Sequence, residues 1–402
     1  IVTGVNIGTV APRTRDFQNL IGRTARSGKY SEGSILLADD VTPLKKRRLY
    51  SKLMSTTSIE RCESAIVYIL KDARLSGITV HGEDIVDLIV RHLTDPSLEN
   101  KLSIFFQKSL GCQETDAGRL ASMRMRPLAA IESYLSGAIA EGNHETDIAA
   151  LCTRTYAYMS ASEELREQLL TLFQAVYTSL RSFSQTKSSL FHKMQLGTRN
   201  AASLIDWVES MEGRVFLEDG CEDTLTLVQQ FLKQNPGITA TVNDEQLTAI
   251  IERWIDGDDL TQIAAIISET HSSTPRPPAI LTKTEKIISG VVKFSFCHFI
   301  SCVFDAVESN EDLDTQHALN YLTAFQRKVK YGVPSLRAAA ICEEVIDDRM
   351  IAKDILSIIG ATGSSDINVI KYEAISNQAK VEQLASELPT YCSKRILNWI
   401  GI

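Results

Sequence analysis

The residues with the most specific chemistry in this chain are two arginines near its start. Arg23 and Arg26 belong to the run Arg15-Asp16-Phe17-Gln18-Asn19-Leu20-Ile21-Gly22-Arg23-Thr24-Ala25-Arg26-Ser27-Gly28. A helical spacing of i and i+3 puts both guanidinium groups on one face. Gln18 stands four residues before Gly22, one helical turn away. Gly22 lets a second backbone or a phosphate come close, because it has no Cβ. Each guanidinium offers a planar fork of donors that a lysine cannot copy. Two such permanent cations side by side can clamp a phosphoryl group while its charge redistributes. Arginines in that role contribute roughly 10³–10⁵ in rate. The plainer alternative is a surface amphipathic helix with solvated arginines.

The flanking elements decide whether these side chains are held or merely solvated. Residues 1–12 read as a strand and turn, with Ile1, Val2, Val5 and Ile7 apolar, Gly4 and Gly8 between them, and Pro12 closing the run. Asp16 is placed to cap a helix carrying Phe17, Leu20, Ile21 and Thr24, which Gly28 ends. Residues 35–38, bounded by turn residues, read as a buried strand. Residues 1–42 are therefore a strand–helix–strand piece of an α/β sheet, too small to stand alone.

With those residues in place, the segment resembles motif VI of superfamily 2 helicases, in particular the Ski2-like and DEAD/DEAH-related branch. Ala25 occupies the place where that family usually has Gly. The resemblance implies that residues 1–42 are the C-terminal piece of a second RecA-like lobe. It implies that Arg23 and Arg26 are catalytic, that Gln18 and Gly22 help them face a bound ATP, and that ATP and Mg²⁺ are held mainly by an absent N-terminal lobe. The chain contains no G-x-x-x-x-G-K-[ST] phosphate cradle and no Asp-Glu-x-His/Asp box. Asp244-Glu245-Gln246-Leu247 begins a helix with no strand before it and reads as a capping segment. Gly4-Val5-Asn6 is reminiscent of the family's motif V, but it lies only twelve residues before Gln18. The start at Ile1, inside an apolar β-branched run, suggests a truncated chain. The fragment alone is expected to be inactive as an ATPase.

Beyond residue 42 the pattern is helical, so the expected fold class is mainly α behind the α/β remnant. Residues 43–112 read as a winged-helix or helical connector. They include a helix capped by Ser58, with Ile59, Cys62, Ala65, Ile66, Ile69, Leu70 and Ala73 on one stripe, and a small strand at 78–80. A helical, ratchet-like domain is expected over 113–270, with helices at 116–141, 146–159, 161–183, 198–211, 222–234, 244–256 and 260–269. The Pro/Ser/Thr-rich stretch around 271–281 reads as a linker. A C-terminal helical domain over 282–402 follows, with helices at 282–308, 312–331, 335–347 and 349–359 and a closing pair near Trp399. No fixed-period repeat occurs.

Two basic clusters are candidate nucleic-acid contacts: Lys45-Lys46-Arg47-Arg48, and Arg119, Arg124 and Arg126 interleaved with Met123 and Met125. A solvated linker and a snorkelling helix flank are the respective alternatives. The partner implied by the resemblance is single-stranded DNA or RNA, with a partner protein for the helical rear also open. Lys330-Tyr331-Gly332-Val333-Pro334-Ser335, with Asp347-Asp348-Arg349 and Ala352, resembles a C-terminal helical segment of large bacterial helicases, including HamB-like antiphage defence proteins. Trp254-Ile255-Asp256-Gly257, with Leu260 and Ile263-Ala264, resembles a helix–turn–helix junction of the same chains. Ordinary helix punctuation explains both equally well.

Charge agrees with a polyanion-facing front. Residues 1–126 carry 19 basic against 14 acidic side chains, net +5, and the remainder carries 23 against 36, net −13. The eight cysteines, at 62, 112, 152, 221, 297, 302, 342 and 392, form no C-x-x-C pair, and neither they nor the seven histidines suggest a metal site. Scattered cysteines at core-like spacing point to a reducing cytoplasm. No signal peptide is visible. The apolar stretch 287–307 is interrupted by Lys293, Ser295, His298, Ser301 and Asp305, which argues against a membrane span. The competing functional reading is a helical scaffold or interaction module without motor activity.

Overall fold

The computed structural model describes residues 114–141, 147–218, 223–235, 238, 242–268, 277–310 and 316–402, together with isolated positions before 114. Two units emerge: Ile1–Ser64 with Met159–Ala161, and Ala65–Tyr158 with Ser162–Ile402. In the first, β1 (Val2–Thr3) pairs in parallel with β2 (Leu37–Ala38), Val2 opposite Leu37 and Thr3 opposite Ala38. The rest of residues 1–42, and nearly all of the 43–112 connector, lie outside the described residues. Ile66 and Leu70, two positions of the stripe behind Ser58, are buried, and so is Val67, which the stripe does not include.

The second unit is helical throughout its described length. In chain order its elements are α1 (Glu114–Ala140), α2 (Ile148–Thr153), α3 (Tyr156–Ser160), α4 (Glu163–Leu180), α5 (Gln185–Met194), α6 (Thr198–Glu209), α7 (Met211–Glu218), α8 (Thr224–Gln234), α9 (Asp244–Ile255) and α10 (Leu260–Ser268). Then come α11 (Pro277–Lys286), a π-helical segment (Ile287–Phe296), α12 (Cys297–Glu308), α13 (Gln316–Tyr331), α14 (Leu336–Glu344), α15 (Arg349–Ile359), α16 (Ile367–Ser376), α17 (Gln378–Glu387) and α18 (Thr390–Ile400).

Short polar side chains cut this string into pieces finer than apolar periodicity predicts. The helix expected at 146–159 is two, because the Thr155 hydroxyl donates to the Cys152 carbonyl and accepts from the Tyr158 N–H. At the end of 198–211 the Ser210 hydroxyl donates to the Trp207 carbonyl and accepts from the Gly213 N–H, so α7 starts as α6 stops. Helix α5 has no counterpart among the expected elements; Ser184 caps it by accepting from the Lys187 N–H. The closing pair is three helices, α16 to α18. Elsewhere the caps lie where the sequence suggests. Asn243 and Gln246 form a reciprocal capping box at α9, and Ser335 and Asp348 cap α14 and α15.

Among the described residues, two apolar cores hold α5 to α18, while α1 to α4 bury Leu135, Leu169, Leu172, Phe173 and Val176 outside them. One runs from Leu190 to Val329 and centres on Phe231, Phe296 and Phe299, all essentially unexposed. Phe231 meets Phe296 edge-on at 5.3 Å and Phe299 at 5.6 Å, and Phe325 meets Phe296 edge-on at 6.4 Å. Such ring pairs contribute about 0.5–1.5 kcal/mol each beyond their burial. The other core runs from Val333 to Ile400. Inside it Arg337, buried, pairs with Glu373 and donates to the Ser364 carbonyl, tying α14 to α16. The first core takes side chains from both sides of 271–281, so that stretch does not divide the core, and its end (277–281) is already helix α11.

The helix predicted at 282–308 is continuous from Pro277 to Glu308, and its middle is a π-helix. Ser295 donates its hydroxyl to the carbonyl of Gly290, five residues back. By length and composition the helix Ala279–Glu308 is long and apolar enough to cross a membrane, an 18-residue window within it having a mean hydropathy of 1.8. Half of that window is buried in the protein, Val292, Phe296 and Val303 completely.

Removing the central ring tests the first core. Phe296→Ala is expected to lower stability by about 3–5 kcal/mol in denaturant unfolding. A loss below ~1 kcal/mol would show that the ring cluster does not organise this core.

Candidate functional site

Of the residues that the sequence puts forward, Gln18, Gly22, Arg23 and Arg26 lie outside the described residues, as do Lys45, Lys46 and Arg48. Arg47 is described as an exposed helical position. Arg119, Arg124 and Arg126 all lie on the N-terminal half of α1, whose backbone is helical there. Arg119 and Arg126, seven residues or about two turns apart, share one side of that helix. Pro127 follows directly and, lacking an N–H, interrupts the hydrogen-bond ladder between this basic half and the buried half of α1.

What the structure brings together is a different set. The two segments that look like helix punctuation in the sequence, around Trp254 and around Gly332 to Arg349, meet in one place. The Trp254 indole N–H donates to the Val329 carbonyl at 2.7 Å. The Arg349 guanidinium lies over the Trp254 ring, 3.9 Å from its centroid. The same guanidinium donates to the Trp254 carbonyl at 3.1 Å, to that of Gly332 at 3.5 Å and to that of Asp258. These carbonyls belong to the ends of α9 and α13 and to the turn after α9, where a cation also meets the negative ends of the helix dipoles. Burial pulls the Arg349 guanidinium down from its ordinary value, and Asp258, Asp259 and Asp348 oppose the shift.

Gly332 completes the joint. Its φ is +66°, a conformation that favours glycine, and a Cβ there would stand 2.3 Å from the Trp254 ring. Asp258 is held from its other side by Arg253 at 2.9 Å, and Asp259 caps α10 by accepting from the Thr261 and Gln262 N–H groups. All these residues are visible in the sequence. Their meeting is not, because Trp254 and Arg349 stand 95 residues apart.

A second buried polar seam joins α1 to α5 and α6. Glu132, 5 % exposed, accepts from the Thr198 N–H at 3.0 Å and so caps α6 from another helix. Gly197, the residue at the cap itself, has φ +83° and no side chain for the task; a Cβ would stand 2.8 Å from the Glu132 carboxylate. Beside it Ser133 donates to the His192 carbonyl at 3.1 Å, and the His192 Nδ1 lies 2.8 Å from the Ser133 carbonyl oxygen. Burial drives the Glu132 carboxyl up to about 7, against the lowering effect of the Thr198 N–H.

Neither seam has the makings of a reaction centre. Burial raises the thiols of Cys152 to about 11 and of Cys297, Cys302 and Cys342 to about 12, so they stay protonated and weakly nucleophilic. Among the described residues no three His, Cys, Asp or Glu side chains converge as metal ligands. No protein-family model, curated protein or solved structure matches the chain.

Two outcomes follow. Glu132 is protonated in the fold at pH values where it is ionised when unfolded. Its contribution is therefore complete below pH 4.5 and is lost as pH rises through about 7. Wild-type stability should fall by on the order of 3 kcal/mol across that interval, and Glu132→Gln should flatten the profile; equal slopes in both proteins would refute the assignment. At the joint, Arg349→Ala should cost about 2–4 kcal/mol in the unfolding of the C-terminal helices. Arg349→Lys should recover less than half, since an ammonium cannot stack flat and reach three carbonyls at once. Full recovery by lysine would reduce the interaction to simple charge.

Proposed function

We propose that this chain is the C-terminal part of an ATP-dependent superfamily 2 helicase or translocase. The observation that carries the reading is the motif itself: Gln18, Gly22, Arg23 and Arg26 at fixed spacing, between a strand and a strand. The parallel pairing of Val2–Thr3 with Leu37–Ala38 agrees with the two strands that the motif reading expects on either side of it. In this reading residues 1–42 close a second RecA-like lobe. Arg23 and Arg26 reach toward ATP and Mg²⁺ bound by a lobe on the N-terminal side, which supplies the phosphate cradle and the magnesium ligand that this chain lacks. The arginines bind while the γ-phosphate is present and let go on hydrolysis, which turns a chemical step into lobe movement.

The helical remainder then serves as the body over which a single strand is drawn. Lys45, Lys46, Arg47, Arg48, Arg119, Arg124 and Arg126 are the sequence-independent phosphate contacts of this scheme. The resemblance of the segments around Trp254 and Gly332 to HamB-like antiphage defence helicases is what supports a role in defence. The second reading, a helical scaffold without motor activity, is favoured by one observation: the described residues form two packed helical cores with no converging catalytic groups.

The test is Arg26→Ala in the full-length protein. Nucleic-acid-stimulated ATP turnover should drop by roughly 10³-fold or more while the circular dichroism spectrum stays that of the parent. Undiminished turnover would defeat the assignment of Arg26, and a parent protein without any stimulated turnover would favour the scaffold reading.

A further inference from the structure

The helix from Pro277 to Glu308 turns an unusual strip to solvent. Along its π segment Ser289, Gly290, Lys293 and Phe294 are exposed, and His298 continues the strip into α12. Phe294 is 74 % exposed, whereas Phe296 and Phe299 on the same helix are buried in the aromatic core. Residues four apart neighbour one another on a helix, so Gly290, Phe294 and His298 lie in line. Nothing stands within 4 Å of the place where a Cβ on Gly290 would be, which leaves an open shelf beside the Phe294 ring.

The strip is also basic. Lys286 and Lys293 are exposed on the helix itself, and Lys330 is exposed at the end of α13. Lys293 and Lys330 both act electrostatically on the Cys297 thiol, which places them on the same side of the helix. Among the described residues no carboxylate forms an ion pair with any of the three. The nearby acids are Glu285 on the same helix, Asp305 beyond His298, and Glu343, which is held by Arg327 at 2.8 Å.

We propose that this strip docks single-stranded nucleic acid, one base stacking on Phe294 over the Gly290 shelf while Lys293 and Lys330 face the backbone phosphates. The proposal rests on the motor reading above and names a contact within it. An exposed ring alone would suit any apolar partner. Lys293 lies 6.0 Å from the Trp254 ring centroid and Lys330 4.8 Å from that of Tyr331, so both are held by rings and neither is neutralised by a carboxylate among the described residues; a ring flanked by such cations selects a polyanion that also offers flat π faces. Duplexes hide those faces in the stack, so a single strand is the form that fits.

The experiment titrates the full chain with fluorescently labelled oligo(dT) and oligo(U) of fifteen or so nucleotides at several salt concentrations. Phe294→Ala should weaken binding by roughly tenfold with an unchanged far-ultraviolet spectrum, since the ring is not part of the core. Replacing Lys293 and Lys330 together by Ala should reduce the slope of log K against log salt by about 1.4. Phe294→Trp should bind as well as the parent and gain an indole emission that the strand quenches. If the parent binds strands and Phe294→Ala binds equally well, the strip is refuted and the motor reading stands. If the parent binds neither oligonucleotide, both fall. Phe294-dependent binding to phosphatidylserine-containing vesicles in place of oligonucleotides would overturn the proposal in favour of a lipid surface.

Discussion

One indole side chain serves both helical cores. Trp254 donates to the last turn of α13, lies beneath the guanidinium at the start of α15, and leaves room at its edge only for a residue without a Cβ. Helices this short are marginal by themselves, and most of their stability must come from packing. The C-terminal core, Val333 to Ile400, is small. Its first helices are oriented by a stacked cation and three carbonyls as well as by apolar contact. Because Arg349 caps two helix ends at once, a change at 254, 332 or 349 is felt at both other positions. Buried networks of this kind favour one arrangement over its near neighbours, since each partly satisfied alternative strands a polar group.

The broad pattern of the fold was legible from spacing. The 3.6-residue apolar period located α6, α8, α9, α10, α13 and α15 to within a few residues at most of their boundaries. It failed where a single hydroxyl competes with the helix for its own carbonyls. Thr155 and Ser210 each end one helix and open the next, yet in the apolar pattern they pass as interior positions. Helix α5 escaped for another reason. Its sequence, Gln185 to Met194, starts with five polar residues, and its buried side includes Ser188 as well as Leu190, Phe191 and Met194. The π segment has no signature in periodicity at all. What could have marked it is Gly290 five residues before Ser295, a hydroxyl within reach of a carbonyl that no Cβ shields.

The contacts that define the best-ordered polar sites were beyond any reading of local sequence. Glu132 looks like one more acidic residue on an amphipathic helix, and only the fold places it against the bare N-terminus of α6 beside Gly197. Trp254 and Arg349 each look like parts of a helix junction. In both cases short-range pattern identifies the residue type correctly and leaves its partner open, because the partner is between 66 and 95 residues away.

The distribution of chemistry along the chain supports a division of labour. The described helical body holds its buried thiols at Cys152, Cys297, Cys302 and Cys342 protonated, uses the Glu132 carboxyl to cap a helix, and binds the buried Arg337 and half-buried Arg349 to carboxylate or carbonyl oxygens. Groups committed in this way position helices; they cannot follow a phosphoryl group whose charge changes during a reaction. A residue that binds ATP in one state and releases it in the next, the role proposed for Arg23 and Arg26, needs a face left open to a nucleotide. The body needs the opposite property, a rigid surface with accessible cations and flat rings. Lys293 and Phe294 meet that requirement because the π turn carries them outward while Phe296, two residues on, is anchored in the core. If the chain works as a motor, the nucleotide-facing arginines and the strand-binding strip are thus separated by nearly 270 residues of sequence, and the joint at Trp254 fixes the helices beside that strip.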